Sequence, residues 1–330
     1  RPGPYAAGVR RIAFLSMNDL TDFVCDDDLA RPALAERGFE VETVPWRADV
    51  DFSRYAAVII RSTWDYTQHL QDFLHALRRI DAQSLLLNPL EVVEANVHKG
   101  YLLALEAAGV PVIPTRVVAR LTAEAVPELR RALGGGELIV KPTVGANAVG
   151  AHRLPESLDA DALADVVAAC DGTELLVQPF LPNVLTQGEH SLFFFEGALS
   201  HAIVKVPKAG DFRVQEEHGG DIRPDPRPAP DLVAAAHRAL TSPPFGRPLR
   251  TALGRERPPL GAAADGQAVA AVAGAPLYAR VDMVRDAAGQ PRLMELELVE
   301  PALYFRTDTA SPGRFADALL ARLGPPRGGV

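Results

Sequence analysis

The sequence predicts an α/β protein: an N-terminal parallel α/β layer over residues 1–92, followed by two α+β lobes over 93–182 and 183–330. Three observations predict it. Short, continuously apolar strands alternate with helices through the N-terminal segment, the rhythm of a parallel sheet. Two later stretches, 137–178 and 191–297, each carry strands bounded by turn residues, and the intervening Pro179-Phe-Leu-Pro182 reads as a crossing between lobes. The second stretch ends in a hairpin, Tyr278–Asp282 and Leu293–Leu298, turned by Asp286-Ala-Ala-Gly-Gln290.

The elements follow in order. Arg11–Met17 is an apolar strand, 28–37 a helix stopped by Gly38, and Glu40–Val44 a second strand. Ala56–Arg61 gives a third strand, 69–80 a helix, and Leu85–Leu87 a short fourth strand. A helix over 99–108 ends at Gly109, and Val110-Pro-Val-Ile-Pro-Thr115 opens the next unit. That unit holds the strand Glu137–Lys141, a glycine-containing loop, a helix over 158–169 and the strand Glu174–Gln178. Strands Ser191–Phe195 and Ala202–Lys205, the acidic hairpin and a closing helix over 314–323 complete the chain. Between Thr241 and Ala273 the composition turns rich in Pro, Gly, Ala and Arg without periodicity, which reads as a flexible surface insertion.

Composition bounds the function. With 330 residues, 48% hydrophobic and 23% charged, the chain supports two or three lobes, each with its own core. A net charge of -8 argues against a nucleic-acid footprint. No run approaches the ~18–20 apolar residues of a membrane span, and Arg1-Pro-Gly-Pro-Tyr5 lacks the apolar region of a signal peptide. The two cysteines, Cys25 and Cys170, lie far apart and form no metal-type spacing, so a reduced, cytoplasmic protein is expected. No G-x-G-x-x-G follows the first strand, which disfavours a dinucleotide fold.

The hairpin carries the chemistry. Alternation puts Glu295 and Glu297 on one face, with Met294, Leu296 and Leu298 on the other against a core. Two carboxylates roughly 6–7 Å apart repel by about 2.5 kcal/mol at an effective dielectric near 20, so three of them, with Asp282, call for a compensating cation. Oxygen-only ligands favour magnesium or manganese over zinc. Lys141 ends an apolar strand and faces Pro142-Thr-Val-Gly-Ala-Asn147-Ala-Val-Gly150, a loop whose backbone amides can bind oxyanions although it is not a P-loop. Asp211-Phe-Arg213 with Gly219-Gly220 offers an arginine fork beside glycines that let a loop close.

The order Lys99, Lys141 and its loop, the Gln178–Leu181 crossing, Glu189, Arg213, then Asp282, Glu295 and Glu297 resembles the ATP-grasp superfamily, in its glutathione-synthetase-like branch. Within it, Arg61-Ser-Thr-Trp-Asp-Tyr66, Gly210-Asp-Phe-Arg-Val-Gln215, Tyr278-Ala-Arg-Val-Asp282 and Glu295-Leu-Glu-Leu-Val-Glu300-Pro301 resemble the ligases that form D-cycloserine. The resemblance implies a pre-ATP-grasp domain followed by two lobes that sandwich ATP. It implies that Lys99 and Lys141 contact the nucleotide's phosphates, that the backbone of Gln178, Pro179, Phe180 and Leu181 meets adenine, that Glu189 holds the ribose, and that Lys205 and Asn147 also bind the nucleotide. Arg213, with Lys141, would be catalytic at the γ-phosphate. Asp282, Glu295 and Glu297 would ligate two Mg2+, with Mn2+ as the alternative. The activity implied is ATP-dependent carbon–nitrogen ligation through an acylphosphate on a small amino-acid-like substrate, with cyclisation of O-ureido-serine as the narrow version and a homodimer as the related assembly. Peptide-bond formation, small-molecule phosphorylation and non-catalytic nucleotide binding stay open beside it. Substrate contacts are expected from Asp27, Ser62, Thr63 and Asp65 at the first lobe's strand ends and from Glu300.

Overall fold

The computed structural model describes residues 9–246 and 276–324. Its first sheet is parallel, in the order β2 (Phe39–Pro45), β1 (Arg10–Ser16), β3 (Ala57–Ser62), β4 (Leu86–Leu87). β1 and β3 are apolar runs buried on both faces, as a covered parallel sheet requires. Helix α1 (Arg31–Glu36) follows a 3-10 turn over Asp27–Ala30, and its exit passes through Gly38 at φ 77°, a left-handed stop that glycine adopts without strain. Helix α2 (Leu70–Asp81) buries Phe73, Leu77 and Ile80 from one face.

Next come α3 (Leu90–Asn96) and α4 (Tyr101–Ala107), then the second sheet, in the order β5 (Arg116–Val118), β8 (Leu175–Pro179), β6 (Leu138–Pro142), β7 (His152–Leu154). All its pairings are antiparallel. Helices α5 (Val126–Ala132) and α6 (Ala160–Ala169) belong to this unit, whose core gathers Leu121, Val126, Leu138, Val140, Leu175 and Val177. Leu102 and Leu105 of α4 pack instead with the third sheet, so the central core begins after the Val110–Thr115 linker.

After α7 (Asn183–Thr186), the third sheet runs β11 (Asp221–Pro224), β10 (Ala198–Val206), β9 (Glu189–Phe195), β12 (Tyr278–Arg285), β13 (Pro291–Glu297), antiparallel throughout. Helix α8 (Pro230–Thr241) covers one face, and α9 (Ser311–Leu323) closes the chain. Phe193 and Phe195 of β9 share a core with Ile12 and Phe14 of β1 and Phe315 of α9, which joins the first and third sheets. The predicted insertion at 241–273 lies outside the described residues, apart from the end of α8 and a short turn to Gly246. Among the described residues no helix is long and apolar enough to cross a membrane.

The acidic hairpin forms with one correction. Asp282 pairs with Glu295 but Met283 pairs with Leu293, leaving Met294 as an extra, bulged residue. Met294 therefore does not share the core face with Leu296 and Leu298. It turns toward Ile113 and Phe180, and Leu293 takes the core position. The linker locks the bulge, because Ile113 N donates to Leu293 O at 3.0 Å and Leu293 N to Pro111 O at 2.7 Å.

Candidate active site

A cleft of about 1700 Å³, open mouth included, runs between the second and third sheets and reaches the loops of the first. One end is apolar. Ile113, Val184, Phe180, Leu181 and Met294 pack there, and the backbone of Pro179–Leu181 follows β8 directly. Phe180 N donates to Glu137 O at 2.8 Å, and Arg153 lies 3.9 Å above the Phe180 ring, so this wall is fixed from behind. Gln178 donates its amide to Thr115 at 2.9 Å and is buried.

The middle of the cleft is charged, because strand alternation stacks acids and cations on one face of the third sheet. Arg280 and Asp282 lie two apart on β12, opposite Glu297 and Glu295 on β13. Glu189 on β9 pairs with Lys205 on β10. Lys205 Nζ stands 2.7 Å from Glu189 Oε1 and 3.5 Å from Asp282 Oδ1, and Ser191 donates to Asp282 at 2.5 Å. Arg280 Nε lies 3.1 Å from Asp282, and its other arm pairs with Glu297. From the second sheet, Lys141 Nζ reaches Glu295 at 3.5 Å. Lys99, just before α4, reaches the same carboxylate at 3.0 Å. It is also tied to the phosphate loop twice, backbone N to Thr143 O at 2.7 Å and Nζ to Gly145 O at 2.5 Å.

Burial pushes Glu295 upward, but Lys99 and Lys141 outweigh it and hold the carboxyl below its usual range. Asp282 behaves likewise: burial opposes ionisation, and Arg280 with Lys205 overcomes it. Glu189 ends above its ordinary value because burial exceeds the pull of Lys205. Burial lifts Glu297 to about 8, with Asp282, Glu295 and Glu300 adding repulsion that Arg280 only partly offsets. Glu300 rises to about 7 by burial, opposed by Lys99 and by a hydrogen bond with the Tyr66 hydroxyl. Three buried carboxylates, Glu189, Asp282 and Glu300, and two half-buried ones, Glu295 and Glu297, thus face four cations, and the deficit falls most on Glu297 and Glu300.

The loop over the cleft mouth takes left-handed conformations at Asn147 (φ 53°) and Ala148 (φ 54°), where glycine would be unstrained. This strained loop stands where the sequence has fewer glycines than an ordinary phosphate loop. Its Asn147 carbonyl lies 3.2 Å from His218 Nε2, which bridges the second and third units. Arg213 also faces the cleft, doubly hydrogen-bonded to Asp211, and that pairing drives the Asp211 carboxyl far below the usual range.

Lys99, Lys141, Asn147, Gln178, Pro179, Phe180, Leu181, Glu189, Lys205, Arg213, Asp282, Glu295, Glu297 and Glu300 all line this cleft. Among the described residues no three of His, Cys, Asp and Glu are gathered closely enough to hold an ion together. Asp282, Glu295 and Glu297 are neutralised by lysines and Arg280 rather than pooled as a ligand set. As donors they still suit a hard divalent ion: all are oxygen ligands, and Glu297 carries repulsion that added positive charge would relieve.

Asp27, Ser62, Thr63 and Asp65, expected at the substrate, lie outside the cleft lining. Asp27 neutralises the buried Arg61 at 2.9 Å. Ser62 donates to Ser16 at 3.0 Å, and Thr63 is fully buried. Asp65 accepts from the Trp46 indole at 2.7 Å and pairs with Arg47. Sequence reasoning could not supply these partners, which come from other strands.

It also assigned nothing to Arg280, although a cation in the middle of an apolar strand, two residues before an acid, was the available signal. Tyr304 and Arg306 line the cleft too, and Arg306 pairs with Asp26 at 2.7 Å and with Glu216. At the same end stand Phe23 and Trp64, whose rings lie 5.2 Å apart.

Comparison with known proteins agrees with this architecture. A family model described as the N-terminal domain of D-cycloserine synthetase DcsG matches residues 12–88. The cycloserine biosynthesis protein DcsG of Streptomyces lavendulae is 33% identical over 305 residues, spanning 87% of this chain and 90% of that protein. The crystal structure of D-cycloserine synthetase DcsG superposes with a TM-score of 0.74 at 30% identity, covering 95% of this chain and 99% of the other. The ATP complex of D-alanine–D-alanine ligase from Bacillus anthracis shares the fold, with a TM-score of 0.60 at 13% identity over 96% of this chain and 97% of that one. The chain belongs to the DcsG family of ATP-grasp enzymes and is an ATP-dependent ligase.

Proposed function

We propose that this ligase is an ADP-forming carboxylate–nitrogen ligase that works through an acylphosphate on a small amino-acid-like substrate, in the narrow version closing O-ureido-serine toward cycloserine. One observation carries the reading: an apolar pocket at Phe180 and Met294 leads, within one cleft, to interleaved Lys99, Lys141, Lys205 and Arg280 facing Asp282, Glu295 and Glu297. The apolar pocket suits an adenine, with the Pro179–Leu181 backbone along its edge. The lysines suit the triphosphate, which would take over contacts now made to Glu295 and Glu189.

The substrate carboxylate oxygen then attacks the γ-phosphorus and ADP leaves with the bond's electron pair. The nitrogen nucleophile attacks the acyl carbon, loses its proton, and inorganic phosphate departs. Arg280 and Arg213 are the side chains that disperse the negative charge on the transferred phosphoryl group. Asp282, Glu295 and Glu297 would hold two Mg2+, or Mn2+, whose role when bound is to neutralise charge between the phosphates.

Labelling tests the reading. With ATP, magnesium and O-ureido-serine carrying 18O in its carboxyl group, one labelled oxygen should appear in inorganic phosphate, one equivalent per ADP formed. Phosphate retained on the organic product would identify a kinase and reject the ligase chemistry. Inertness toward O-ureido-serine beside activity with two separate amino acids would reject only the narrow version.

A further inference from the structure

Glu300 differs from the other acids of the cleft. It is only 7% exposed and lines the cavity, yet among the described residues no lysine, arginine or histidine stands within ion-pair distance of it. Glu189, Asp282, Glu295 and Glu297 each have such a partner. A buried carboxylate without a counter-ion is costly, and a fold keeps one where a ligand brings the missing charge.

Its surroundings hold it in place from three sides. The Trp64 indole donates to the Glu300 carbonyl at 3.0 Å. Arg61, buried and neutralised by Asp27, donates to the next carbonyl, Pro301 O, at 3.0 Å. The Tyr278 hydroxyl sits 2.9 Å from the preceding carbonyl, Val299 O. On the side chain itself the Tyr66 hydroxyl makes a hydrogen bond. The segment from Arg61 to Tyr66 thus grips Glu300 through its side chains instead of touching substrate through Ser62, Thr63 or Asp65.

The missing charge cannot come from the nucleotide, whose phosphates are anionic and suit the lysines. At the same end of the cleft the neighbouring Phe23 and Trp64 rings add the π-faces that an alkylammonium prefers to an anion. We propose that Glu300 is the specificity-determining residue that receives the ammonium group of the substrate, so that the ligase selects acids bearing a primary amine that stays unreacted. This assignment rests on the ligase reading for the identity of the bound molecule. It explains why a site for carboxylate activation keeps one further buried acid beyond those matched by lysine and arginine.

The test separates binding from turnover. Calorimetry with a non-hydrolysable ATP analogue and magnesium compares O-ureido-serine with its desamino analogue on the wild type, on Glu300→Gln, which keeps shape, and on Glu300→Asp, which keeps charge. The wild type should bind the amino acid at least 30-fold more tightly than the desamino acid. Glu300→Gln should bring that ratio below about 3, Glu300→Asp should retain part of it, and the nucleotide Kd should stay within about twofold in all three. A wild type that binds both acids equally or neither, or a Glu300→Gln variant that keeps the ratio, overturns the assignment. A Glu300→Gln variant whose principal change is weaker magnesium dependence also overturns it, because it makes the carboxylate a metal ligand. Tight, amine-dependent binding with the analogue, but no release of ADP and phosphate when ATP replaces it, leaves the ammonium site standing and rejects the ligase reading.

Discussion

Replacing Arg280 with methionine isolates the electrostatics of the cleft. The guanidinium is buried, 3.1 Å from both Asp282 oxygens, and paired with Glu297. Asp282 would keep Lys205 at 3.5 Å and Ser191 at 2.5 Å, so it retains partial compensation. Glu297 would lose its ion-pair partner but already holds its proton up to about pH 8, so at neutral pH it can stay uncharged. The expected destabilisation of the ligand-free protein at pH 7 is therefore about 3 kcal/mol, the low end for breaking a buried pair.

Above pH 8 the two proteins diverge. The wild type gives up the Glu297 proton, whereas the variant, with that carboxyl raised further, must keep it or ionise without a partner. The penalty should grow by about 1.4 kcal/mol for each pH unit beyond 8 until the variant also ionises. Urea denaturation at pH 7, 8, 9 and 9.5 measures it. A loss under about 1 kcal/mol at pH 7, or a difference that does not grow between pH 8 and 9.5, refutes this account of the charges.

Three further outcomes follow from the same contacts. Because Glu297 is raised to about 8, the folded protein binds a proton that the unfolded chain has released, and wild-type stability should fall from about pH 4.5 to pH 8; in Glu297→Gln that contribution to the slope should be missing from matched urea titrations. Arg213→Ala should lower kcat by about 10²–10³-fold, as loss of a transition-state donor does. Its effect on stability should stay below about 1 kcal/mol, since the partly exposed pair with Asp211 is solvent-screened, and a large shift in the melting temperature would contradict that. Gly220→Ala would put a Cβ 2.0 Å from the Val214 carbonyl, so the loop carrying Arg213 must shift. At least a tenfold drop in kcat/KM is expected, and wild-type kinetics would show that the loop tolerates displacement.

The longer strands of all three sheets were legible because buried strands read as apolar runs, whereas β5, β7 and β11, three or four residues each, were missed; Gly38 and Gly109 marked helix ends, where φ is 77° and 82°. β13 was misread because a bulge is a property of a pair: nothing in Leu293-Met-Glu295 announces that Met283 pairs with Leu293. Helices α3, α5 and α7 were missed since each holds seven residues or fewer, too few to display a period, and the twelve-residue α8 was missed as well. In the site, the cleft-lining lysines and acids were visible through their order along the chain. The structural pairing of Asp27 and Asp65 was not, since Arg61 reaches the one, and Trp46 and Arg47 the other, only after β1, β2 and β3 assemble. Arg280 escaped for the opposite reason: it sat inside a recognised motif, and only its two carboxylate neighbours show how much charge it balances.

Lys99 bonds at once to Thr143, Gly145 and Glu295, so one side chain belongs simultaneously to the helical linker, the cleft roof and the cleft floor. With no nucleotide bound, its ammonium spends its charge on Glu295, 3.0 Å away. A polyanion that claimed it would unfasten roof from floor and leave Glu295 with Lys141 alone, at 3.5 Å, ready for a dication that came with the same polyanion. If the nucleotide takes Lys99 and the metal takes Glu295, as proposed, the two are thermodynamically linked through that ammonium, and each should tighten the other's binding by the same factor.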